Sequence, residues 1–137
     1  MESSDAGRNG SSLIIVNDRQ QIVLLLRDNI QEIPYPNMWD IPGGAVESGE
    51  SPKEAIIREI DEEMGIRLND VYLFSVIPFD DRTEYTYWIK LNLDLEKIHL
   101  TEGQRLEWFD ENEIKKMNLA FRFNRVVDKF YQDAPFK

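Results

Sequence analysis

The fold of this chain is decided by residues 44–66, which read GAVESGESPKEAIIREIDEEMGI. The first part of this stretch is a glycine-punctuated loop, and the second part carries the signals of a helix. Ser51 suits the N-cap, a proline follows at the first helical position, and a glutamate three residues after Ser51 completes a capping box. Gly65 supplies the left-handed residue that commonly ends a helix. The pattern therefore predicts a helix from Pro52 to about Met64.

The predicted helix has an apolar side and an acidic flank. At about 100° per residue, Glu59, Glu62 and Glu63 fall on one arc, and the isoleucines and Met64 fill the adjoining arc. Carboxylates three and four residues apart repel one another, and two of these also lie near the negative end of the helix dipole. A hard divalent cation such as magnesium takes oxygen ligands and would reverse both effects. The residues alone leave open a solvated acidic face or a metal site.

The whole stretch resembles the signature of the Nudix hydrolases. That signature is Gly, five residues, Glu, seven residues, Arg-Glu, an aliphatic residue, any residue, Glu-Glu, any residue, Gly and an aliphatic residue. Its fixed positions are filled here by Gly44, Glu50, Arg58, Glu59, Ile60, Glu62, Glu63, Gly65 and Ile66. The signature covers about a sixth of the chain, and weaker similarity extends across most of it. The resemblance implies a hydrolase that uses Mg²⁺, with Mn²⁺ as a possible substitute.

The resemblance also implies roles for the residues of the signature. Glu59, Glu62 and Glu63 become metal ligands, and Glu59 also becomes the candidate acceptor of a proton from the attacking water. Arg58 and Glu50 become a pair that orients the loop against the helix. The alternative for that pair is an ordinary surface ion pair, which contributes little.

Paired glycines precede the signature loop, in the sequence WDIPGG over residues 39–44. Many Nudix enzymes carry an aromatic-acid-aliphatic-Pro-Gly-Gly sequence at this place. Without side chains, Gly43 and Gly44 let the backbone approach a ligand closely. We expect Gly43 to contact substrate and the Gly44 carbonyl to join the metal shell; a simple turn is the alternative.

A second local match lies at residues 102–109, which read EGQRLEWF. They resemble the segment after the last long strand of MutT-type nucleoside triphosphate pyrophosphohydrolases, where a glutamate before Gly-Gln reaches the metals. The resemblance makes Glu102 this catalytic and metal-binding residue, with Glu107 as the competitor. The alternative for both glutamates is that they only keep a surface loop solvated.

Two further residues stand near positions where the family contacts its substrate. Arg27 ends a strand where a phosphate-contacting arginine is found, but Asp28 follows where a second arginine is often seen. Asn124 lies where MutT-type enzymes have an asparagine that hydrogen-bonds a purine base. The residues around Asn124 match poorly, so a helix N-cap is the competing role.

Length and charge bound the class of protein. The chain has 137 residues and a formal net charge of −10, which suits one domain and argues against binding a nucleic-acid polymer. It has no cysteine and no long apolar run, so we expect no thiolate metal site, no membrane partner and a cytoplasmic location. Residues 1–10 are predicted to be a disordered tail and residues 11–137 a single Nudix domain, present as a monomer or homodimer.

The remaining chain predicts an α+β fold. Strands are expected over residues 12–16, 21–26, 71–79, 84–95 and 104–109. The 84–95 strand alternates apolar with mostly polar residues, which predicts one buried face. Short helices are expected after Asp110 and over Asn124–Tyr131. The resemblance sharpens this to the Nudix fold, a mixed β-sheet sandwiched between α-helices.

The leading functional hypothesis is hydrolysis of a nucleoside triphosphate to the monophosphate and pyrophosphate. The shortness of the chain, with no room for an added N-terminal domain, and the match at Glu102 favour it over a nucleotide-sugar or dinucleotide pyrophosphatase. A rival from another class is a non-catalytic nucleotide-binding module on the same fold. Loss of a signature glutamate would mark such a module, and none is lost here.

Overall fold

The structure is a computed structural model that describes residues 8–137. Its strands are β1 (Gly10–Val16), β2 (Ile22–Leu26), β3 (Trp39–Asp40), β4 (Gly43–Ala45), β5 (Tyr72–Pro78), β6 (Thr83–Lys90) and β7 (Arg105–Phe109). Its helices are α1 (Pro52–Met64), α2 (Glu111–Lys115) and α3 (Asn124–Asp133). Most of the predicted tail lies outside the described residues, but Gly10 already belongs to β1.

The signature helix α1 has the predicted bounds because both of its ends are capped. The Ser51 hydroxyl accepts a hydrogen bond from the Glu54 amide at 3.1 Å, and the Ser51 amide donates to the Glu54 carboxylate at 2.8 Å. At the other end, Gly65 adopts φ 70° and its amide donates to the Asp61 carbonyl. These local bonds satisfy terminal backbone groups that the helix itself leaves unpaired.

The strands form one mixed sheet in the order β3-β2-β1-β6-β5, with β4 also paired to β1 and β7 to β2. The β1 and β6 strands run parallel over their full overlap, from the Gly10–Glu84 pair to the Val16–Lys90 pair. The other pairings are antiparallel. The parallel pairing brings residues from distant parts of the chain to the same end of the sheet.

Each face of the sheet carries its own core, because successive side chains of a strand point to opposite faces. On one face, Leu13 and Ile15 of β1 pack with Ile56, Ile60 and Met64 of α1. On the other face, the alternate residues of β1 and β2 pack with α2 and with Val126, Val127 and Phe130 of α3. The predicted mixed sheet between helices is thereby confirmed.

One expectation for the β6 region is wrong, and a second is incomplete. The strand ends at Lys90 rather than at Leu95, because Asp94 caps a 3-10 turn over Leu95–Lys97. Both faces of β6 are also covered: the Thr86 side chain is buried, and the Trp88 ring lies 6.2 Å from that of Phe130. The polar residues that alternate along β6 therefore face the cleft and the second core rather than solvent.

No helix among the described residues 8–137 is long and apolar enough to cross a membrane.

Candidate active site

The loop between β4 and α1 is fixed against the helix by Arg58. Its Nε and Nη2 atoms donate to the two oxygens of Glu50 at 3.0 and 2.7 Å, and Nη2 also donates to the Ala45 carbonyl at 3.1 Å. Its Nη1 atom reaches Glu59 at 2.7 Å and Glu62 at 3.1 Å. A planar guanidinium makes such a paired contact with a carboxylate, which an ammonium group would not reproduce. The contacts agree with the orienting role that we predict for the pair.

The ionic contacts of Arg58 shift the pKa values of the pair in opposite directions. The hydrogen bond from Arg58 is the main cause that lowers the pKa of Glu50, and the same contact raises the pKa of Arg58. Both groups are therefore charged at neutral pH. Only 16% of the Glu50 side chain and 23% of the Arg58 side chain are exposed, so this pair is largely protected from solvent, as is the Arg58–Glu59 pair.

Glu59 and Glu63 form the inner part of the acidic flank. Burial raises the pKa of Glu59, although Arg58 opposes the shift. Burial also raises the pKa of Glu63, and the negative charges of Glu59, Glu102 and Asp40 raise it further. One oxygen of Glu63 is buried and has no hydrogen-bond partner among residues 8–137. A buried carboxylate oxygen without a donor is costly unless a cation or a proton stabilises it.

Glu62 lies on the outer edge of this flank. Its side chain is 60% exposed and turned toward Arg58. The three signature glutamates thus share a helix flank as predicted, but with different surroundings. Glu63 faces the cleft with an unpartnered oxygen, and Glu59 and Glu62 both contact the arginine.

Glu102 enters the site from a loop that is anchored to α1. The amide and hydroxyl of Thr101 donate to the carbonyls of Glu63 and Glu62, each at 3.3 Å. On the other side of Glu102, the Gly103 amide donates to the Asp28 carboxylate at 3.2 Å. These bonds keep Glu102 on the wall of the same cleft as Glu59 and Glu63.

Glu107, the competing residue, lies on β7 and does not line this cleft. Its carboxylate pairs with Arg105 at 3.0 Å. The placement of the two glutamates favours Glu102 as the residue that faces the signature helix.

The chemistry of these donors suits a hard divalent cation. Glu59, Glu63 and Glu102 supply carboxylate oxygens around one opening, and the unpartnered Glu63 oxygen is a ready ligand. In the described part of the chain, however, no three acidic or histidine side chains converge closely enough to hold an ion. Glu59 and Glu62 instead accept hydrogen bonds from Arg58.

The cleft has a volume of about 480 Å³ and a second wall that the sequence analysis missed. This wall includes Asp40, Arg82, Glu84, Phe121 and Phe123. Of these, only the position of the Asp40 acid could have been noticed, in the WDIPGG sequence. The others come from the turn before β6, from β6 itself and from the segment before α3, and long-range pairing alone brings them to the site.

Asp40 connects this wall to Arg27. Arg27 Nη1 contacts the Asp40 carboxylate at 3.1 Å, and Arg27 Nε donates to the Pro34 carbonyl at 3.0 Å. Burial raises the pKa of Asp40 to about 6, while Arg27 opposes the shift. Arg27 lines the cleft as expected of a substrate-contacting residue, and one of its nitrogens is already held by Asp40.

The structure treats the other two predicted substrate contacts differently. Gly43 lines the cleft beside Gly44. Asn124 does not line it, because its amide group donates to the Met117 carbonyl and accepts from the Leu119 amide, both at 2.9 Å. Asn124 is not the N-cap of α3 either, since Phe123 occupies that position. Its side chain instead closes the turn that leads into the helix.

A glutamate-lined helix, a glycine loop and an acidic cleft are thus assembled on one mixed sheet. The family model described as "NUDIX domain" matches residues 7–133. The chain therefore belongs to the Nudix family.

Known proteins similar to this chain carry several substrate names. An ADP-ribose pyrophosphatase of Methanocaldococcus jannaschii is 31% identical over 121 residues, which cover 85% of this chain and 69% of that protein. An RNA pyrophosphohydrolase of Ruthia magnifica is 27% identical over 128 residues, covering 84% and 63%. The chain spans about a third to two thirds of the length of the curated relatives it matches.

Among solved structures, the MutT protein from Methanosarcina mazei Go1 has a TM-score of 0.80 to this chain. The two are 23% identical, and the match covers 93% of this chain and 95% of that one. At this identity the likeness establishes the fold, and the substrate has to be argued from the site.

Proposed function

We propose that this chain hydrolyses a nucleoside triphosphate to the nucleoside monophosphate and pyrophosphate with the help of Mg²⁺, or of Mn²⁺ in its place. The observation that carries the proposal is that Glu59, Glu63 and Glu102 line one cleft, which Arg27 and Arg82 also line. Carboxylates and arginines in one cleft match a substrate of metal-neutralised phosphates.

The proposal assigns each charged group a task. Mg²⁺ bound by Glu59, Glu62, Glu63, Glu102 and the Gly44 carbonyl would supply charge neutralisation to the phosphates and to the attacking water. Arg58 and Glu50 hold the glycine loop so that the Gly44 carbonyl keeps its place beside α1.

The chemical step needs one proton acceptor. Water adds to a phosphorus of the triphosphate as the bridging bond to the leaving pyrophosphate breaks. The proton of that water passes to Glu59, whose carboxylate faces Gly44 at the mouth of the loop. Arg27, which lines the same cleft, contributes positive charge to the phosphates. The whole activity is proposed to lie in one domain over residues 11–137.

Two other enzymatic functions remain alternatives, because the relatives carry different substrate names. One is hydrolysis of a nucleotide sugar or a dinucleotide, which is supported by the similarity to an ADP-ribose pyrophosphatase. The other is removal of pyrophosphate from RNA, which is supported by the similarity to an RNA pyrophosphohydrolase. The net charge of −10 disfavours a polyanionic polymer. A non-catalytic nucleotide-binding module is the third alternative.

The deciding experiment is a product analysis with Mg²⁺ and a panel of substrates. The panel contains the eight common nucleoside and deoxynucleoside triphosphates, ADP-ribose, a nucleoside diphosphate sugar and a triphosphorylated oligoribonucleotide. We expect a nucleoside monophosphate and pyrophosphate in equal amounts from a triphosphate, and no turnover by the Glu63→Gln variant. Preferred turnover of ADP-ribose, of the sugar nucleotide or of the RNA would replace the proposal. Binding without turnover would favour the non-catalytic module.

A further inference from the structure

An aspartate, Asp28, follows Arg27 after β2, where the family often has a second arginine. The two neighbours differ in their surroundings, since Arg27 lines the large cleft and Asp28 does not. The Asp28 carboxylate instead accepts a hydrogen bond from the Gly103 amide at 3.2 Å. An ionised carboxylate only accepts hydrogen bonds and a guanidinium only donates them. An arginine at position 28 would therefore leave the Gly103 amide without this acceptor.

The loop that carries Glu102 turns sharply at Gly103. This glycine adopts φ 88°, and a Cβ atom built on it would lie 2.8 Å from Leu25 Cδ2. Glycine thus allows both the left-handed backbone and the close approach of the loop to β2. The amide that Asp28 binds belongs to the peptide group between Glu102 and Gly103. Asp28 therefore holds the backbone directly after Glu102.

Gln104 fastens the other side of the same turn. Its backbone amide donates to the Leu26 carbonyl at 2.8 Å. Its side-chain amide donates to the Arg27 carbonyl and to Asn37 Oδ1, both at 2.8 Å. Together with the bonds of Thr101 to the end of α1, these contacts place Glu102 between two anchored segments. One anchor is the metal-binding helix, and the other is the segment that carries Arg27.

The contact between Asp28 and Gly103 persists in surroundings that oppose a negative charge. Asp28, Glu63 and Glu102 all line a second cavity of about 340 Å³, which shares part of its lining with the large cleft. Carboxylates that share a small space repel one another, so an aspartate here carries an electrostatic cost that an asparagine would avoid. An asparagine would still offer an acceptor oxygen to the amide. The hydrogen bond and the charge of Asp28 can therefore be tested separately.

We propose that Asp28 is a positioning residue for Glu102: its carboxylate fixes the peptide group after Glu102 and so directs the Glu102 side chain into the cleft. The inference rests on the proposed hydrolysis, in which Glu102 binds the metal, and it adds how this glutamate keeps its place. Glu102 lies on an exposed loop, and small misplacements of a catalytic group are costly in rate. The contribution of Asp28 should therefore appear in kcat. Phosphate binding at this corner is left to Arg27, so KM should depend little on Asp28.

The first test measures kcat and KM of Asp28 variants with the nucleotide that the wild-type protein hydrolyses best. Asp28→Asn keeps an acceptor and should keep kcat within about threefold of the wild-type value. Asp28→Ala removes the acceptor and should lower kcat by about tenfold with little change in KM. Asp28→Arg, which introduces the residue often seen in the family, should lower kcat as well. Asp94→Ala is the matched control, because Asp94 accepts from the Glu96 amide, also at 3.2 Å, and does not line the cleft.

A double-mutant cycle distinguishes positioning of Glu102 from a general effect on the fold. In the Glu102→Gln background, Asp28→Ala should change kcat by less than about twofold, because the carboxylate that it positions is already absent. Equal losses of kcat in the two backgrounds would overturn the inference. A lower KM with undiminished kcat in Asp28→Arg would also overturn it.

Hydrogen exchange of the metal-free protein gives a readout without turnover. The chain has seven glycines, so NMR with isotope-labelled glycine resolves the Gly103 amide among few signals. This amide should exchange about tenfold or more faster in Asp28→Ala than in the wild-type protein or in Asp28→Asn. Equal exchange in all three proteins would overturn the contact. Absence of hydrolysis for every nucleotide would instead refute the proposed function, whereas the exchange of Gly103 would still report on Asp28, so the two failures are distinguishable.

Discussion

Gly44 lies directly against the carboxylate of Glu59: a Cβ atom built on Gly44 would overlap Glu59 Oε2 and Cδ. The neighbouring Gly43 meets a different obstacle, since its Cβ would overlap the backbone of Ser11 and Ser12. One glycine therefore makes room for a movable side chain, and the other makes room for a strand. Substitution of Gly44 should therefore mainly affect catalysis, and substitution of Gly43 should mainly affect stability.

The first prediction compares Gly44→Ala with Gly43→Ala. Gly44→Ala should displace the Glu59 carboxylate and lower kcat by about tenfold or more, because small misplacements of a reacting group are costly in rate. Its stability should change by less than about 1 kcal/mol. Gly43→Ala should destabilise the domain by about 2–4 kcal/mol, since strand β1 cannot move aside. Urea unfolding and steady-state rates measure both effects. Equal stability losses in the two variants would contradict the distinction.

The second prediction concerns the contact of Arg58 with Glu50. Arg58→Lys cannot keep the paired hydrogen bonds and the bond to the Ala45 carbonyl together, so the free energy of unfolding should fall by about 1–3 kcal/mol. Hydrolysis should fall as well, because the loop loses its anchor. Lys115→Ala, which breaks an exposed pair with Glu111 at 3.4 Å, is the control and should change stability by less than about 1 kcal/mol. Similar effects of both substitutions would make Arg58 an ordinary surface residue.

The third prediction separates Glu63 from Glu62 in metal-free buffer. Glu63→Gln should raise the melting temperature, because burial and nearby negative charges force this carboxyl group to take up a proton on folding, a cost that the neutral amide avoids. Glu62→Gln should leave the melting temperature unchanged or lower it slightly, since it loses only the contact with Arg58. Both variants should lose hydrolysis by orders of magnitude.

Magnesium provides the control for the third prediction. Millimolar Mg²⁺ or Mn²⁺ with nucleotide should raise the melting temperature of the wild-type protein, because a ligand of the folded state stabilises it by mass action. The rise should be small in the Glu59→Gln, Glu63→Gln double variant. If neither ion changes the melting temperature of the wild-type protein, that result would argue against the metal site.

The fourth prediction ranks Glu102 against Glu107. Glu102→Gln should lower kcat more than tenfold (about 1.4 kcal/mol) with little change in stability, because the exposed side chain packs against little and faces the cleft. Glu107→Gln should be much milder, since this carboxylate is paired with Arg105 on β7. The reverse order would transfer the role to Glu107, and two neutral variants would leave the chemistry to α1.

The fifth prediction uses the raised pKa of Glu84. The folded protein has a pKa of about 7 at this group, against 4.5 for an unperturbed glutamate. Between these values the folded state binds more protons than the unfolded state, so this group makes the free energy of unfolding fall as the pH rises from about 4.5 to 7. In the Glu84→Gln variant, this pH-dependent fall in the free energy of unfolding should be absent. Its melting temperature should rise relative to the wild type between pH 5 and pH 8.

Metal-free buffer and differential scanning calorimetry suit this fifth measurement, with Glu96→Gln as the control. The charged neighbours of Glu84, Asp40 and Arg82, are present in both the wild-type protein and the Glu84→Gln variant. The difference between their curves of melting temperature against pH therefore reports the titration of Glu84. A difference in melting temperature that is constant from pH 5 to pH 8 would contradict the buried carboxyl.

The sequence by itself determined the elements whose signals are local. The bounds of α1 followed from Ser51, Pro52 and Gly65, because caps are hydrogen bonds between residues three or four apart. The placement of Glu59, Glu62 and Glu63 on one flank followed from the helical period. The layering of helices on a mixed sheet followed from the family resemblance, and the observed sheet with a core on each face confirms it.

Only the tertiary structure decided the second wall of the cleft. Glu84 meets Gly10 through a parallel pairing of strands 74 residues apart, and nothing near either residue specifies that register. The same holds for Arg82 and Phe121, which contact each other on this wall. Asn124 shows the opposite case, since its bonds to Met117 and Leu119 turn it away from the cleft. Patterns along the chain report local hydrogen bonding, whereas contacts between distant residues depend on how the whole core packs.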